Sequence, residues 1–206
     1  MKALLDDVHW LGHAGFRITG RVTVYVDPYR ISGRNPADVI LVTHDHYDHF
    51  SPEDIRKVLK PDTVIVKPGK PDPDLVADYR IVRPGDQITV KDVPVRVIPS
   101  YNQGKLFHSR SAGHAGYVFT LDEVTYYHAG DTDLILDMED VRCDVAFLPV
   151  GGTYTMNAEE AARAAEIIRP GVAVPIHWGD VVGSRKDAER FAELADCEVR
   201  ILEAEG

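Results

Sequence analysis

The sequence predicts an α/β protein built as an αββα sandwich, with two central, mostly antiparallel or mixed β-sheets and helices on their outer faces. Short β-branched runs recur in both halves of the chain, and capped amphipathic helices are interleaved among the later strands. No repeat, low-complexity tract or linker interrupts this pattern. Because 206 residues, 44% of them hydrophobic, suffice for a buried core, we expect one domain over residues 1–206.

The first half of the chain is predicted to form five strands and one helix. The strands are Val8–Leu11, Phe16–Ile18, Val22–Val26, Asp38–Thr43 and Thr63–Val66. The β-branched run within Asp38–Thr43 is typical of a strand covered on both faces. A helix is expected after Ser51, because Ser51 can cap it, Pro52 suits its first turn and the acidic residues that follow suit its positive end. We expect this helix to end near Lys60, and a helical turn at Asp74–Asp78.

The second half is predicted to be rich in strands, with two helices near its end. The strands are Gln87–Val90, Val93–Ile98, Gly116–Thr120, Val124–Tyr127, Asp144–Val150, Val172–Ile176 and Glu198–Leu202. The clearest helix follows Asn157, since Asn157 and Glu160 have the spacing of a capping box and an alanine-rich apolar stripe follows them. Pro170 ends this helix, and Arg185–Ala195 is predicted to form the last one.

Composition excludes several classes of protein. The chain has 23 basic and 33 acidic residues, a net charge of −10, so a nucleic-acid duplex would meet net repulsion. Cys143 and Cys197 lie far apart in the sequence, which indicates neither a disulfide framework nor a cysteine metal knuckle. No apolar run is long enough for a membrane span, and the first residues turn acidic too early for a signal peptide. We expect a cytoplasmic protein without a membrane partner. The net charge disfavours a nucleic-acid partner, although a local basic groove stays open, as does a homo-oligomer.

The segment Thr43–His49, with the sequence THDHYDH, is the strongest indication of function. It lies between a predicted buried strand and a capped helix, where open α/β folds commonly place their sites. Alternate side chains of extended backbone point the same way, so His44 and His46 can approach one point while Asp48 and His49 approach a second. These side chains are ligands for zinc, iron or manganese. A solvated turn or a surface histidine tract does not explain this density of ligands between a strand and a helix.

Three later residues also follow strands or precede them in loops. Asp131 comes after a predicted strand, His177 directly follows Val172–Ile176, and His108 lies in the loop before Gly116–Thr120. Taken alone, such a histidine is most often a satisfied core or surface residue, and Gly-Asp-Thr is most often a turn. They matter as a set, because a pair of metal ions needs more ligands than the first motif offers.

Thr43–His49 resembles the H-x-H-x-D-H signature of the metallo-β-lactamase superfamily. The resemblance covers essentially the whole chain and is strongest to the small metal-dependent (Zn-dependent) hydrolases related to L-ascorbate-6-phosphate lactonase. The other hallmarks of that group are similar to Gly12-His13-Ala14, Asp27-Pro28, Tyr127–Thr132, Gly151–Met156 and Pro175-Ile176-His177. The resemblance implies a metallo-β-lactamase-like sandwich and metal-dependent hydrolysis, and says little about the substrate.

The resemblance also implies a set of metal ligands. It assigns three residues to one ion, three to a second ion and one bridging carboxylate: His44, His46 and His108; Asp48, His49 and His177; and Asp131. Two divalent ions are expected, with zinc first and manganese or iron as alternatives. His114 competes with His108 for the same role, and the family pattern favours His108, which comes a few residues before the turn that contains Gly116.

Supporting and catalytic roles are expected for a few neighbouring residues. The resemblance places Asp27, His13 and His128 near the site, where a carboxylate can receive the second N–H of a ligating histidine. A purely structural role for all three is the alternative. Asp48 is a ligand that could also accept a proton from the attacking hydroxide. The catalytic candidates are therefore Asp48, His13 and His128.

The sequence thus predicts a hydrolase that uses a hydroxide activated by two metal ions to cleave a small ester, lactone, thioester or phosphodiester. The alternatives are a nuclease of the ribonuclease Z kind, an iron-dependent oxidoreductase using the same pocket, and a non-catalytic metal-holding scaffold. No basic track for RNA is visible, which disfavours the nuclease. Tyr101, Phe107, Tyr154, Met156 and Trp178 are candidates for an apolar pocket wall, with ordinary loop packing as the alternative. Lys105 and Arg110 are candidates for an anion contact, with solvation of a surface as the alternative.

Overall fold

Six strands form the first sheet within residues 4–33 and 35–205, the part of the chain that the computed structural model describes. They are β1 (Val8–Gly12), β2 (Gly15–Thr19), β3 (Thr23–Val26), β4 (Val39–Leu41), β5 (Val64–Lys67) and β6 (Asp78–Ile81). Each strand pairs with the next in sequence. The pairs from β1 to β3 are antiparallel, and the pairs from β3 to β6 are parallel.

The second sheet follows the same plan over the described residues. Its seven strands are β7 (Gln87–Val90), β8 (Val93–Pro99), β9 (Ala115–Leu121), β10 (Val124–His128), β11 (Val145–Pro149), β12 (Val172–Ile176) and β13 (Glu198–Val199). The pairs from β7 to β10 are antiparallel, and those from β10 to β13 are parallel. The predicted fold class is therefore confirmed: two mixed sheets lie at the centre of the fold.

Three α-helices occur in the described part of the chain, α1 (Pro52–Val58), α2 (Ala158–Ile168) and α3 (Arg185–Leu194). Ser51 caps α1 by accepting the Asp54 N–H, and Asn157 and Glu160 form the predicted capping box of α2. Short 3₁₀ turns occur at residues 110–112 and 136–140. No helix among the described residues is both long and apolar enough to cross a membrane.

Alternating side chains of the first sheet divide between two apolar clusters. Val39 and Leu41 of β4 and the corresponding residues of β5 face the main core, which also contains the buried residues of the second sheet. Ile40 and Ile65 point the other way, into a smaller cluster with Ile55 of α1. Because both faces of β4 and β5 are covered, these strands are continuously apolar, as the sequence predicted.

The segment around Asp74–Asp78 is the clearest error of the sequence interpretation. It forms a turn closed by a hydrogen bond from Leu75 N–H to the Asp72 carbonyl, and Asp78 already begins β6. The strand was missed because β6 is an exposed edge with the sequence DYRI and lacks hydrophobic alternation. Its parallel pairing with β5, not its own composition, makes it a strand.

The loops that follow several strands of both sheets lie at one edge of the sandwich. β1 and β3 are both antiparallel to β2, and β4 and β5 are parallel to β3. The strands β1, β3, β4 and β5 therefore all point the same way. By the same reasoning β8, β10, β11 and β12 share one direction in the second sheet. The two sheets meet at this edge through hydrogen bonds from Ala115 N–H to the Thr43 carbonyl and from the Tyr117 hydroxyl to the Val42 carbonyl.

Candidate metal centre

Every candidate site residue of the sequence analysis follows the carboxyl end of one of these strands or lies in the loop beyond it. His13 occupies the β1–β2 turn and Asp27 follows β3. Thr43–His49 follows β4, and His108 lies between β8 and β9. The remaining candidates follow the parallel strands of the second sheet: His128 ends β10, Asp131 comes after it, and His177 comes after β12.

The first ligand group consists of His44, His46 and His108, whose ring nitrogens lie within 4.8 Å of one another. The Nε2 atom of His108 is 3.0 Å from Nδ1 of His46. The Thr43 hydroxyl donates to Asp27 and can therefore accept from His44 Nδ1 across 3.0 Å, which leaves a free lone pair on Nε2 of His44. Each of the three histidines can offer one ring nitrogen to an ion held among them.

The second group consists of His13, Asp48, His49 and His177, again with ligand atoms within 4.8 Å of one another. Asp48 Oδ2 lies 3.1 Å from His13 Nε2 and 3.8 Å from His49 Nε2. The other nitrogen of His49, Nδ1, donates to Asp27 across 2.7 Å. This contact fixes the ring and leaves Nε2 of His49 facing the group.

Asp131 lies between the two groups and contacts both. Its Oδ1 is 3.2 Å from His49 Nε2, and its Oδ2 is 3.0 Å from His177 Nε2. The same Oδ2 is 3.4 Å from His108 Nε2 and 4.0 Å from His44 Nε2. A carboxylate that reaches histidines of both groups has the position of a bridging ligand.

The buried polar atoms of this cluster fit metal ions. Among the described residues, the buried side-chain atoms without a hydrogen-bond partner include several from the cluster: His44 Nε2, His49 Nε2, both ring nitrogens of His177, His13 Nδ1 and Asp131 Oδ1. An unsatisfied buried donor or acceptor costs about 1–3 kcal/mol, so such a concentration needs a partner. A divalent cation in the cluster would satisfy one ring nitrogen of each histidine and the oxygen of Asp131.

Electrostatics at the cluster favour a positive charge there. Burial alone would lower the pKa of His49, but Asp131 and Asp27 raise it well above the usual value. Burial alone would raise the pKa of Asp131, but His177 and His49 hold it well below the usual range. For His44, burial dominates and the pKa falls well below normal, which keeps this ligand neutral.

Four site residues have left-handed backbone conformations, which are uncommon outside glycine. The φ angles are 49° at His13, 43° at Asp27, 60° at His108 and 59° at His177. Histidine and aspartate tolerate this region better than most residues, but each such conformation still costs free energy. The surrounding structure therefore holds these side chains in place against a local preference, as is common at functional sites.

His128 and His114 lie beside the cluster without joining a ligand group. His128 Nε2 lies 2.9 Å from the Ala14 carbonyl oxygen, and its Nδ1 accepts the Gly130 N–H, so backbone groups occupy both nitrogens. His114 stacks on His44 with ring centroids 4.7 Å apart, and burial lowers the pKa of His114 to about 4. The geometry thus favours His108 over His114 as a ligand.

Several residues that contact the candidate ligands were not predicted from the sequence. Thr43 donates its hydroxyl to Asp27 across 2.6 Å, and Asn102 contacts His108 and the Tyr154 carbonyl. Lys67 is only 2% exposed and forms an ion pair of 2.6 Å with Asp45, inside the histidine motif. The only available signals were a threonine directly before the motif and a lysine ending a buried strand, and neither is specific.

Gly130 is required by the turn that carries Asp131. Its φ angle is 64°, and a Cβ atom there would lie 3.0 Å from the Ala115 carbonyl oxygen and 3.1 Å from the Ser100 hydroxyl. The close approach of the two segments brings Asp131 into the cluster. A side chain at position 130 would be strained by the positive φ, and its neighbours would have to shift by a few tenths of an ångström.

An open cavity of about 420 Å³ lies over the cluster. It is lined by His46, Asp48, His108, Asp131 and His177, together with Asp45, Tyr47, Phe107, Tyr154 and Val181. Phe107 and Tyr154 therefore line it as expected, whereas Tyr101, Met156 and Trp178 are buried and do not. The latter three pack in the main core, which accounts for the difference.

Comparison with known proteins identifies the family. A family model described as a β-lactamase superfamily domain matches residues 7–177. A UPF0173 metal-dependent hydrolase of Methanoculleus marisnigri is 37% identical over 202 residues, covering 88% of this chain and 85% of the relative. Another from Archaeoglobus fulgidus is 32% identical, with 95% of each chain covered. This chain therefore belongs to the metallo-β-lactamase superfamily, among the UPF0173 metal-dependent hydrolases.

Solved structures agree with this assignment. A protein of Parabacteroides distasonis assigned as a metal-dependent hydrolase is 32% identical, with a TM-score of 0.82 and coverage of 96% of this chain and 93% of that one. Igni18, a metallo hydrolase of Ignicoccus hospitalis, shares the fold with a TM-score of 0.77 at 24% identity and coverage of 97% and 95%. The predictions of the superfamily and of a metal-dependent hydrolase are confirmed.

Proposed function

We propose that this chain hydrolyses a small ester, lactone, thioester or phosphodiester at a centre of two divalent metal ions. Zinc is the first choice because histidine and carboxylate suit it, and manganese and iron are the alternatives. The position of Asp131 carries the proposal. This buried carboxylate contacts His49 and His177 of one ligand group and His108 of the other.

The ligands fall into two sets that share one residue. One ion would be held by His44, His46 and His108, the other by Asp48, His49 and His177, and both by Asp131. A pair of ions held in this way would supply electrostatic stabilisation of the reacting oxygen and a hydroxide at neutral pH. A small substrate is proposed because the cavity of about 420 Å³ suits a compact molecule.

The protein's own residues would orient the ligands and manage the proton. Asp48 faces the cavity and would accept the proton of the attacking hydroxide. His13, hydrogen-bonded to Asp48 at 3.1 Å, would fix the direction of that carboxylate and take no direct part in bond cleavage. Asp27 would fix the orientation of the His49 ring by accepting a hydrogen bond from its Nδ1. His128 would position the turn before Asp131 through Gly130 and therefore act structurally.

The experiment is a substrate panel with metal analysis on matched variants. Metal-loaded wild type is assayed on lactones, thioesters, carboxylic esters and phosphodiesters, alongside His46→Ala and Asp48→Ala. The controls are His9→Ala and Asp62→Asn, which change the same residue types on the surface, at the ion pairs with Glu205 and Lys91.

The two site variants should lose more turnover than the roughly 10- to 100-fold caused by removing a partner of a metal ligand. Each should also lose bound metal, while the controls keep both. Unchanged metal content and turnover in both site variants would refute the proposed centre. Bound metal without turnover of any panel substrate would instead support a non-catalytic scaffold.

A further inference from the structure

Apolar side chains form one wall of the cavity over the candidate metal centre. The wall consists of Tyr47, Phe107, Tyr154 and Val181, and this set is called the apolar wall below. Tyr47 and Phe107 are 65% and 45% exposed. Large exposed apolar side chains gathered at a cavity mark a surface that binds an apolar group.

Contacts within the protein hold one side of the apolar wall in place. Phe107 meets Tyr154 edge to face with ring centroids 5.7 Å apart, and it meets the His46 ring at 6.1 Å. The backbone carbonyl of Tyr154 accepts a hydrogen bond from Asn102, which also contacts His108. Asn102 therefore links the apolar wall to His108, a candidate metal ligand.

The other side of the apolar wall is supported from outside the cavity. Tyr47 meets Tyr29 edge to face at 6.0 Å, and the Arg30 guanidinium lies 5.0 Å from the Tyr29 ring centroid. Arg30 forms two hydrogen bonds with Asp180, of 2.8 and 2.9 Å. Since Asp180 directly precedes Val181, this chain of contacts joins Tyr47 to the segment that carries Val181.

The basic side chains near the cavity already have partners within the protein. Lys105, a sequence candidate for an anion contact, pairs with Asp133 and donates to the Thr155 carbonyl, each across 2.5 Å. Arg110, the other candidate, lies over the Tyr101 ring at 5.0 Å. Neither lines the cavity. The expected anion contact from these residues therefore finds no support.

Charge within the cavity disfavours an anionic substrate group away from the metal ligands. No lysine or arginine occurs among the described lining residues. Of the three aspartates there, Asp48 and Asp131 belong to the proposed ligand set, and Asp45 forms an ion pair with the buried Lys67. A negative charge on the acyl group, away from the ions, would therefore meet apolar carbon with no cation of the protein to pair with.

We propose that this site, given the hydrolase function above, prefers an uncharged carboxylic ester, lactone or thioester whose acyl group is apolar and lies against the apolar wall. Hydrolysis adds water across the acyl C–O or C–S bond and releases the carboxylic acid with an alcohol or thiol. Acyl groups that carry a carboxylate are the disfavoured substrates.

The test uses 4-nitrophenyl esters that share a leaving group. Acetate, butyrate and hexanoate vary acyl length, and the hemisuccinate adds a charge at the length of butyrate. Metal-loaded wild type is compared with Phe107→Ala and Tyr47→Ala. The control is Leu106→Ala, since Leu106 is 89% exposed and does not line the cavity.

In wild type, kcat/KM should rise about fourfold for each added methylene that is buried. It should fall at least about tenfold from butyrate to hemisuccinate. Phe107→Ala and Tyr47→Ala should flatten the dependence on acyl length, mainly through KM, while Leu106→Ala keeps it. Equal or faster turnover of the hemisuccinate, or an unchanged length dependence in both wall variants, would overturn the preference.

A binding measurement separates this preference from the hydrolase function. The ketone that replaces the ester oxygen of 4-nitrophenyl butyrate by a methylene cannot be hydrolysed, and its binding to metal-loaded protein is followed by calorimetry. Binding that Phe107→Ala weakens at least fivefold, and Leu106→Ala does not, supports the apolar subsite even where no ester is turned over. Absence of binding, or equal binding to all variants, overturns it.

Discussion

Replacing Asp27 by asparagine should weaken metal binding although Asp27 is not itself a ligand. Asp27 is fully buried and makes three hydrogen bonds: from His49 Nδ1 at 2.7 Å, from the Thr43 N–H at 2.8 Å and from the Thr43 hydroxyl at 2.6 Å. Asparagine keeps the shape and one acceptor oxygen. Its amide nitrogen cannot accept a proton. In one orientation of the amide His49 loses its acceptor, and in the other it keeps a neutral oxygen in place of a charged one, so the contact that keeps its Nε2 bare is weakened in both.

The size of the effect follows from that one lost contact. A buried hydrogen bond to a charged group contributes about 1.5–3 kcal/mol. If this free energy appears in metal binding, the dissociation constant of the ion held by His49 should rise about 10- to 100-fold. The group of His44, His46 and His108 should be less affected, because His44 depends on the Thr43 hydroxyl rather than on Asp27 directly.

The assay is a competition titration of zinc against a chelator, with the apo-protein's thermal unfolding as a check on folding. Asp62→Asn is the control, since Asp62 is an exposed aspartate paired with Lys91. We expect biphasic binding in Asp27→Asn, with one phase weakened and one close to wild type. Two phases within twofold of wild type, in a variant that folds, would show that the hydrogen bond does not orient His49.

Three further predictions concern the scaffold. Phe147→Ala should lower the free energy of unfolding by about 3–5 kcal/mol in urea titrations, because Phe147 is fully buried and packs on Phe16 at 4.1 Å; a loss below 1 kcal/mol would contradict this packing. Lys67→Met should cost about 1–3 kcal/mol and weaken metal binding, since the ion pair with Asp45 inside the histidine motif is lost; unchanged zinc affinity would restrict Lys67 to a structural role. Burial alone would raise the pKa of Asp54, but hydrogen bonds from Lys57 and from backbone N–H groups lower it, so its stabilisation is present above about pH 4 and is lost as the pH falls through the folded-state pKa. Asp54→Asn should therefore cost about 1–2 kcal/mol at pH 7 and progressively less below pH 4, and a difference independent of pH would contradict the assignment.

The sequence predicted those elements whose own residues determine their structure. β4 and β5 are covered on both faces, so their composition alone indicates strands, and α2 carries its capping box in the sequence. β6 was missed because its residues do not encode its pairing. It is an exposed edge, and only the register with β5 makes it a strand. Such information is distributed over two segments and is not visible in either one.

The site was predictable in part for a similar reason. Thr43–His49 concentrates its ligand types in one segment, so the pattern alone suggested metal binding. Each distant candidate, such as Asp131, is an ordinary residue after a strand and gained meaning only from the family resemblance. The supporting contacts depend on three-dimensional placement: Lys67 is distant from His44 in sequence but reaches the motif between two histidines. The exposed position of Tyr47 was equally invisible in the sequence.

Anomalous diffraction from crystals of the zinc-loaded protein tests the central claim most directly. Two peaks about 3.5–4 Å apart are expected, one among His44, His46 and His108 and the other among Asp48, His49 and His177. Asp131 should lie within ligand distance of both. A single peak at full zinc loading, or peaks outside this cluster, would contradict a two-ion centre bridged by that carboxylate.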